Sequence, residues 1–290
     1  MNTVKTGWIG LGKMGVPMSQ QLIKAGYPLS VYNRSKDKEE AFKAQGIGIA
    51  ASPALLLNAA DVVFIMVSDD KAINDIFHGD EGLLAAKVSG KIIINMSTVS
   101  PAISKEMASA CKEQGNHYLD APVSGSVKQA EDAALVIMAG GEAGAFEQAK
   151  PILEKMGKLV MLVGGTGAGN AAKLAINTLL GIVAQGLAET VALAQQNGIE
   201  AEALTTLISN SALGSPFIKI KGDAIVNNNY QAAFALKHIA KDLRLAKDLG
   251  LATPLGETAY QTYQAAEKAF GEEDIIAVMK QVGKSDKKKP

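Results

Sequence analysis

The first 163 residues of the chain alternate between short apolar runs and helix-like segments. Six runs carry this pattern: WIGL, LSVYN, VVFIMV, KIIINM, LVIMAG and LVMLVG. Continuous apolar strands are typical of a parallel sheet whose two faces are both covered by helices. Ser52-Pro53 and Ser100-Pro101 each place a capping hydroxyl before a proline suited to the first helical position. The pattern predicts a doubly wound α/β domain over residues 1–163.

The sequence pattern changes after residue 164, where long stretches rich in alanine and leucine follow with almost no strand signal. We expect an all-helical domain over residues 164–290. A helix from about Ala168 to Gln196 would be roughly 40 Å long at 1.5 Å per residue. Its apolar positions occupy nearly all sides, so neighbouring helices or a second subunit should cover it.

Charge and cysteine content restrict the classes of partner. The chain has 29 Lys and Arg residues and 29 Asp and Glu residues, so its formal net charge is +0 and we expect no nucleic acid partner. Cys111 is the single cysteine, which fits a reducing cytosol and provides no thiolate cluster for a metal. No uninterrupted apolar run reaches the roughly 18 residues of a membrane span. We expect a soluble, cytoplasmic protein with no membrane contact and no metal site.

The segment GWIGLGKMGVPM contains Gly10, Gly12 and Gly15 in the spacing GxGxxG. The residues before it are typical of a strand, and those after it are typical of a helix that ends near Gly26. In such a turn the first glycine permits the tight bend, the second lets a pyrophosphate approach the backbone, and the third packs helix on strand. This context predicts a dinucleotide-binding turn.

The end of the second predicted strand indicates which dinucleotide is bound. A site that reads the ribose 2′-hydroxyl carries Asp or Glu at this place, and here Asn33 stands instead. Arg34 and Ser35 follow, and they offer a cationic fork and a hydroxyl donor where a 2′-phosphate would lie. We therefore expect NADP to be preferred over NAD.

Transfer of a hydride to a carbonyl needs a proton donor near the oxygen, and Lys173 is our candidate. It lies in the first turns of the long predicted helix, whose positive end favours loss of the ammonium proton. Asn177 shares its face four residues later. We expect the active site in a crevice between the two domains, which would be hinged near residues 163–168.

Two further segments carry polar groups that suit a small acid. Ser124, Gly125 and Ser126 lie in a predicted turn, where amides and hydroxyls could hold a carboxylate. His238 and Asp242, four residues apart on one predicted helix, could form a histidine acid oriented by a carboxylate. We interpret this second pair as structural, because nothing in the sequence places it in the cleft.

The motifs taken together resemble the β-hydroxyacid dehydrogenase family, and most closely its glyoxylate/succinic semialdehyde reductase branch. The resemblance extends over about residues 7–283 and depends on the motifs GWIGLGKMGVPM, NRS, MSTV, DAPVSGSVKQAED, GAGNAAKLAIN and FALKHIAKDLRLA. It implies a Rossmann domain, an all-helical second domain that forms dimers or tetramers, and NADPH-dependent reduction of a small aldehyde that carries a carboxylate.

The resemblance also implies roles for individual residues. Lys173 would be the catalytic lysine. The substrate would be bound by Ser124, Gly125, Ser126, Asn177, Phe234 and Asp242. The cofactor would be bound by Gly10, Leu11, Gly12, Lys13, Met14, Gly15, Asn33, Arg34, Ser35, Val67, Ser68, Thr98 and Lys241.

Other activities of the same family remain open from the sequence. The family's 3-hydroxyisobutyrate dehydrogenases usually have a second glycine where Ser126 stands, and Lys128 and Glu131 are similar to the glyoxylate reductase pattern. A 3-hydroxyisobutyrate or tartronate semialdehyde dehydrogenase is the alternative enzyme. The related imine reductases generally lack the lysine. A non-catalytic NADP-binding scaffold is the alternative of another class, and Lys173 argues against it.

Overall fold

The computed structural model describes residues 3–285 of the chain, with side chains described up to residue 283. The chain divides into two compact units, residues 1–173 and residues 174–290. Residues 286–290, the end of the predicted second domain, lie outside the described residues.

The first unit is built on one mixed sheet. Its strands are β1 (Thr6–Ile9), β2 (Leu29–Tyr32), β3 (Gly48–Ile49), β4 (Val62–Ile65), β5 (Ile92–Asn95), β6 (His117–Asp120), β7 (Val123–Ser124), β8 (Leu135–Gly141) and β9 (Gly157–Gly164). They lie in the order β3-β2-β1-β4-β5-β6-β8-β7, and β9 pairs with β8. The first six are parallel in the order 3-2-1-4-5-6, which is the Rossmann arrangement and confirms the predicted fold class.

The sheet departs from the expected parallel pattern after β6. Strand β8 runs antiparallel to both β6 and β7. Only two residues separate β6 from β7, and β8 pairs with both of them. The two-residue strand β7 was not predicted, because periodicity cannot reveal an element of that length.

Helices cover both faces of this sheet. They are α1 (Gly15–Lys24), α2 (Glu40–Lys43), α3 (Pro53–Ala59), α4 (Asp70–His78), α5 (Pro101–Glu113), α6 (Val127–Glu131) and α7 (Ala143–Leu153), with 3₁₀ turns at Lys36–Glu39 and Leu83–Ala86. The predicted helix starts are confirmed: Ser52 Oγ accepts from Leu55 N at 3.3 Å, and Ser100 Oγ accepts from Ile103 N at 3.0 Å. Each serine precedes a proline at the first helical position.

Side chains alternate along the strands and separate the core of this unit into two clusters. Phe64 and Ile94 belong to the cluster that contains Trp8 and Met18. Their strand neighbours, such as Ile65, belong to the cluster on the other face. Because both faces are covered, β1, β4 and β5 are buried along their whole length.

The second unit is helical over its described residues. Helix α8 (Ala168–Gln196) begins in the first unit and has the predicted bounds. It is followed by α9 (Ala201–Ser209), α10 (Pro216–Val226), α11 (Leu236–Asp248), α12 (Pro254–Phe270), a 3₁₀ turn at Ile275–Val278 and α13 (Met279–Ser285). Tyr263, Leu243 and Val191 are fully buried in a core that these helices share.

Helix α8 is, by length and composition alone, long and apolar enough to cross a membrane. Half of that window is buried inside the protein. Polar residues interrupt the apolar positions of this helix, so the sequence contains no uninterrupted apolar run of that length. The core helix of a soluble protein can have the same length and composition.

Candidate active site

The glycine turn after β1 has the geometry that its spacing predicts. Gly10 has φ of +98°, and a Cβ at this position would lie 2.1 Å from the carbonyl oxygen of Met66. A Cβ at Gly15 would lie 2.0 Å from the carbonyl oxygen of Gly10. That oxygen accepts a hydrogen bond from Trp8 Nε1 at 3.0 Å. The first and third glycines are therefore required by the close packing of the turn itself.

Gly12 differs from these two glycines, because a Cβ built on it would meet no atom within 4 Å. Packing inside the protein does not require a glycine there, and a ligand that approaches the backbone does. The turn leads into the N-terminus of α1, whose first turn contains no acidic residue. The positive dipole end of this helix suits a pyrophosphate. The residues present therefore fit a dinucleotide.

Asn33 connects the glycine turn to the end of β2. Its Oδ1 accepts from Leu11 N at 2.8 Å, and its Nδ2 donates to the carbonyl oxygen of Ser35 at 2.8 Å. Glu39 Oε1 accepts from Asn33 N at 2.7 Å. Asn33 therefore braces the two loops in addition to the cofactor contact predicted for it. Arg34 is exposed, as is Ser35.

A cavity of about 410 Å³ opens beside this turn. It is lined by predicted cofactor-binding residues: Gly10, Gly12, Asn33, Arg34, Ser35, Val67 and Ser68. Lys38, which sequence reasoning did not select, also lines it and adds a second positive charge. Leu11 and Lys13 line a neighbouring depression of about 500 Å³. Met14, half-buried, stands immediately before α1.

The start of α8 is held by two residues that the sequence analysis did not select. Asp120, the last residue of β6, accepts from Gly167 N at 2.7 Å and from Asn170 N at 2.8 Å. Asn170 Oδ1 in turn accepts from Val99 N at 3.0 Å. The two residues bring the helix start against the carboxyl ends of β5 and β6. Asp120 is 47 and 50 residues from its two partners, and Asn170 is 71 residues from Val99, so no local pattern reveals such pairing.

Asp120 is fully buried, and this burial raises the pKa of its carboxyl to about 6. The backbone hydrogen bonds from Asn170 and Gly167 act in the opposite direction, because they stabilise the charged form. Desolvation is the larger effect. The carboxylate is therefore kept ionised at neutral pH mainly by main-chain donors.

Lys173 lies in the second turn of α8 and is 9% exposed. A lysine is almost never buried to this extent unless it is paired, since its ammonium loses its hydration. Thr98, half-buried, follows β5 and precedes the Val99 that binds Asn170. Asn170 therefore links two predicted site residues of the first unit. Its side chain binds Val99, the neighbour of Thr98, and its backbone lies one turn before Lys173.

The predicted turn at 124–126 contains part of a strand. Ser124 belongs to β7 and pairs with Val136 of β8. Gly125 has φ of +143°, where a Cβ would lie 2.7 Å from Leu135 Cδ2, so only glycine fits. Ser126 donates from both its N and its Oγ to Gln129 Oε1 at the start of α6. The hydroxyl of Ser126 is therefore engaged by the helix that it begins.

In the second unit, Asn177 and Asp242 form a buried pair. Asn177 Nδ2 donates to Asp242 Oδ2 at 2.6 Å. Lys241 Nζ lies 3.1 Å from Asp242 Oδ1, but the arrangement is not that of a hydrogen bond, and Oδ1 has no hydrogen-bond donor. We interpret this contact as an ion pair. Asp242 Oδ1 therefore retains the capacity to accept a hydrogen bond.

The ring of His238 stacks on that of Phe234, with centroids 5.9 Å apart. Burial, followed by the charge of Lys241, lowers the pKa of His238 below its ordinary value. The carboxylate of Asp242 contacts Asn177 and Lys241 instead of orienting the imidazole. These contacts agree with a structural role for His238. Among the described residues there is no cluster of His, Cys, Asp and Glu that could hold a metal ion.

The sheet order, the glycine turn and the adjoining cavity define a dinucleotide-binding protein with a Rossmann-type unit followed by a helical unit. Residues 5–165 match a family model described as the NAD-binding domain of 6-phosphogluconate dehydrogenase. Residues 167–282 match one described as the NAD-binding domain of NADP-dependent 3-hydroxyisobutyrate dehydrogenase. The chain belongs to the β-hydroxyacid dehydrogenase family and is an NAD(P)-dependent oxidoreductase that acts on CH–OH groups.

Two relatives show the range of activities within the family. Glyoxylate/succinic semialdehyde reductase 2 of Arabidopsis thaliana is 37% identical, and the match covers 96% of this chain and 79% of that protein. NAD-dependent L-serine dehydrogenase of Pseudomonas aeruginosa is 34% identical, and the match covers 94% and 96%.

Solved structures show the same fold. The 3-hydroxyisobutyrate dehydrogenase of Mycobacterium tuberculosis with L-serine has a TM-score of 0.89 at 28% identity, covering 97% of this chain and 99% of that one. Psf3 in complex with NADP⁺ and 2-OPP has a TM-score of 0.85 at 27% identity, covering 95% and 99%.

Proposed function

We propose that the protein reduces a small aldehyde that carries a carboxylate, such as glyoxylate or succinic semialdehyde, to the hydroxy acid with NADPH. The observation that carries the proposal is the buried Lys173 near the start of α8. A lysine is seldom buried to this extent, because an ammonium removed from water needs a partner, and this one lies where α8 meets the carboxyl ends of β5 and β6. The similarity to the plant glyoxylate/succinic semialdehyde reductase supports this class of substrate.

We propose NADPH rather than NADH as the preferred cofactor. Asn33, where a carboxylate would bind a ribose hydroxyl, is engaged by Leu11 and Ser35. Arg34 and Lys38 line the same cavity and add two positive charges. A 2′-phosphate would gain charge-assisted hydrogen bonds there.

In the proposed reaction, the bound reduced cofactor supplies a hydride to the carbonyl carbon. Lys173 stabilises the negative charge that develops on the carbonyl oxygen and gives that oxygen a proton. The backbone around Ser124 and Gly125 holds the substrate carboxylate, while Ser126 keeps α6 in place through Gln129. The lysine is then restored by a proton from solvent.

We assign the second unit a part in substrate binding. Asp242 Oδ1 keeps an unused acceptor position, which suits a hydroxyl or a hydrated aldehyde. Asn177 orients this carboxylate through the hydrogen bond to Oδ2. Because the proton donor belongs to residues 1–173 and this pair to residues 174–290, we expect catalysis to need both units. A fragment of residues 1–173, which keeps Lys173, should be inactive.

We also propose that the protein is a homodimer or homotetramer. Leu179 and Leu193 on α8 are each 62% exposed, and Leu207 on α9 is 67% exposed. Several large apolar side chains exposed on neighbouring helices are typical of a surface that another subunit covers. Sedimentation of the purified protein over a range of concentrations would test this proposal.

L-serine oxidation is the second candidate activity. The bacterial relative is named a serine dehydrogenase, and the solved 3-hydroxyisobutyrate dehydrogenase contains L-serine. Ser126, in place of the second glycine usual in 3-hydroxyisobutyrate dehydrogenases, favours the aldehyde acids over 3-hydroxyisobutyrate itself.

The test is a panel of initial-rate assays with purified protein. NADPH consumption is measured with glyoxylate, succinic semialdehyde, methylmalonate semialdehyde and tartronate semialdehyde, and NAD⁺ or NADP⁺ reduction with L-serine and 3-hydroxyisobutyrate. We expect the highest kcat/KM with glyoxylate or succinic semialdehyde. A higher value with serine would replace our proposal with the second candidate. Tight cofactor binding without turnover of any substrate would favour a scaffold.

A further inference from the structure

The start of helix α8 has no capping side chain of its own. Gly167 precedes the first helical residue, and its φ of +89° lies outside the helical range. Such a helix end leaves N–H groups without intrahelical partners, and these are normally satisfied by a Ser, Thr, Asp or Asn at the cap. Here the acceptor comes from another element, because Asp120 at the end of β6 binds Gly167 N and Asn170 N.

Each oxygen of Asp120 has a separate task. Oδ1 accepts from Gly167 N at 2.7 Å, and Oδ2 accepts from Asn170 N at 2.8 Å. Two bonds to amides three residues apart fix both the position of the helix end and its rotation about its axis. A neutral cap with one oxygen could fix only one of these amides.

Asn170 attaches the same turn to a second strand end. Its Oδ1 accepts from Val99 N at 3.0 Å, and its Nδ2 donates to Ser104 Oγ on α5 at 3.2 Å. Its side chain is fully buried. Lys173 follows three residues later and lies on the same side of the helix, about 4.5 Å further along the axis. Any displacement of Asn170 is therefore carried directly to the lysine.

The helix start also lies unusually close to the sheet. A Cβ on Gly169 would lie 2.4 Å from the carbonyl oxygen of Met138 and 2.5 Å from that of Asp120. A Cβ on Gly140 would lie 2.7 Å from Asp120 Oδ1. There is no space for the helix to move inward, and the polar contacts prevent it from moving outward.

We propose that Asp120 and Asn170 are positioning residues that hold Lys173 in the place required for proton transfer. The proposal rests on the proposed function, since it gives these residues a purpose only if Lys173 is the proton donor. Neither residue needs to touch the substrate. Their effect on turnover passes through the first two turns of α8.

The test compares Asp120→Ala and Asn170→Ala with Asn116→Ala. Asn116 is also buried and also holds two backbone groups, Lys91 N at 2.9 Å and the carbonyl oxygen of Val88 at 2.7 Å. It precedes β6, at the opposite end of the strand that Asp120 ends. The control variant therefore loses a comparable structural contact on the side of the sheet away from Lys173.

We expect Asp120→Ala and Asn170→Ala to lower kcat by about 10- to 100-fold, the usual consequence of a misplacement near 1 Å, with little change in NADPH affinity. Asn116→Ala should lower the melting temperature similarly and leave kcat within about twofold. Equal losses of kcat in all three variants would overturn the proposal. If Asp120→Ala does not fold, Asp120→Asn replaces it, because it keeps the volume and loses one of the two acceptors.

A double-variant cycle separates positioning from a general loss of structure. In a Lys173→Ala background, Asp120→Asn should not lower kcat further, because its target is already absent. A further loss as large as that in the wild type would overturn the proposal while leaving Lys173 as the proton donor. Normal turnover of Lys173→Ala alone would instead refute the lysine's role in the proposed function, and with it the positioning role.

Hydrogen exchange followed by mass spectrometry provides a readout that does not depend on activity. In Asp120→Asn, the amides of residues 167–173 should exchange at least 10-fold faster than in the wild type, while those of β1 and β4 should not change. Unchanged exchange at residues 167–173 would show that Asp120 does not hold the helix start, and would overturn the proposal whatever the kinetics.

Discussion

The two units hold a buried aspartate in different ways. In the first unit, both oxygens of Asp120 accept from main-chain N–H groups at the start of α8. In the second unit, Asp242 is held by the side chains of Asn177 and Lys241, and its Oδ1 has no hydrogen-bond donor. A carboxylate surrounded by backbone donors fixes geometry, whereas one held by side chains retains acceptor capacity for a ligand.

This difference is a property of the two positions rather than of the two units. Asp274, also in the second unit, accepts from the ammonium of Lys221 at 2.7 Å and from the backbone N–H groups of Phe234 and Ile276. It therefore has donors on both oxygens and fixes the segment that contains Phe234. Asp242 therefore differs from Asp274 at its Oδ1, which has an ion pair with Lys241 and no hydrogen-bond donor.

The largest effect is expected at Lys173, which lies in the first unit, one turn after the Asn170 amide that Asp120 binds. Lys173→Ala should lower kcat by about 10²- to 10⁴-fold, the usual contribution of a positioned general acid. NADPH affinity, measured by fluorescence titration, should barely change. Lys173→Arg should restore little, because guanidinium retains its proton. Substantial rescue by arginine would indicate a purely electrostatic role.

If Lys173→Ala kept near-normal turnover and His238→Ala abolished it, the proton donor would be His238. That outcome would reverse the comparison, since the chemistry would then belong to the second unit. The contacts of His238 with Phe234 make this result unexpected.

The second effect concerns the pH dependence of stability that Asp120 produces. Its pKa is about 6 in the folded protein against 3.8 for the ordinary group, so the folded state binds its proton more tightly. The contribution of Asp120 is therefore most favourable below pH 3.8 and is lost as the pH rises through 6. At 1.36 kcal/mol per pKa unit, the loss amounts to about 3 kcal/mol.

Urea unfolding of the wild type and of Asp120→Asn at several pH values between 4 and 7.5 would measure this contribution, because the asparagine does not titrate. The stability of the wild type relative to the variant should fall across this range. A stability difference that is independent of pH would show that burial does not raise the pKa of the Asp120 carboxyl.

The third effect is expected at Arg34, which lines the cavity beside the glycine turn. Arg34→Ala should weaken NADPH binding by about 1.5–3 kcal/mol, the contribution of a hydrogen bond to a charged group, and leave NADH nearly unaffected. Isothermal titration with both cofactors would measure the difference, with the exposed Lys112→Ala of α5 as a control. Equal losses for the two cofactors would mean that Arg34 supports the loop and does not read the phosphate.

The smallest effect is expected at Asp242. Asp242→Asn keeps an acceptor for Asn177 but removes the charge, so kcat/KM for the aldehyde acid should fall by about 10-fold, or roughly 1.4 kcal/mol. Asp248→Asn, an exposed carboxylate on the same helix, is the matched control. A loss of melting temperature without a change in kcat/KM would assign Asp242 the same structural role as Asp274.

Local sequence patterns determined much of the fold. The strand rhythm, the serine-proline caps and the GxGxxG turn all depend on residues within one or two elements, and each agrees with the structure. The bounds of α8 were predictable for a related reason, because a continuous stretch rich in alanine and leucine extends over the whole segment. In these places backbone preference and packing favour the same conformation.

Tertiary structure alone decided how the polar residues pair. Asp120 meets the start of α8 after 47 residues, and Asp242 meets Asn177 after 65. The same applies to β8, whose antiparallel direction is evident only from its pairing with β6 and β7 and not from its own residues. Hydrophobic periodicity records which face of an element is buried, but it carries no information on which buried donor meets which acceptor. That choice requires the folded chain, since only there do distant strand ends and helix starts come within 3 Å.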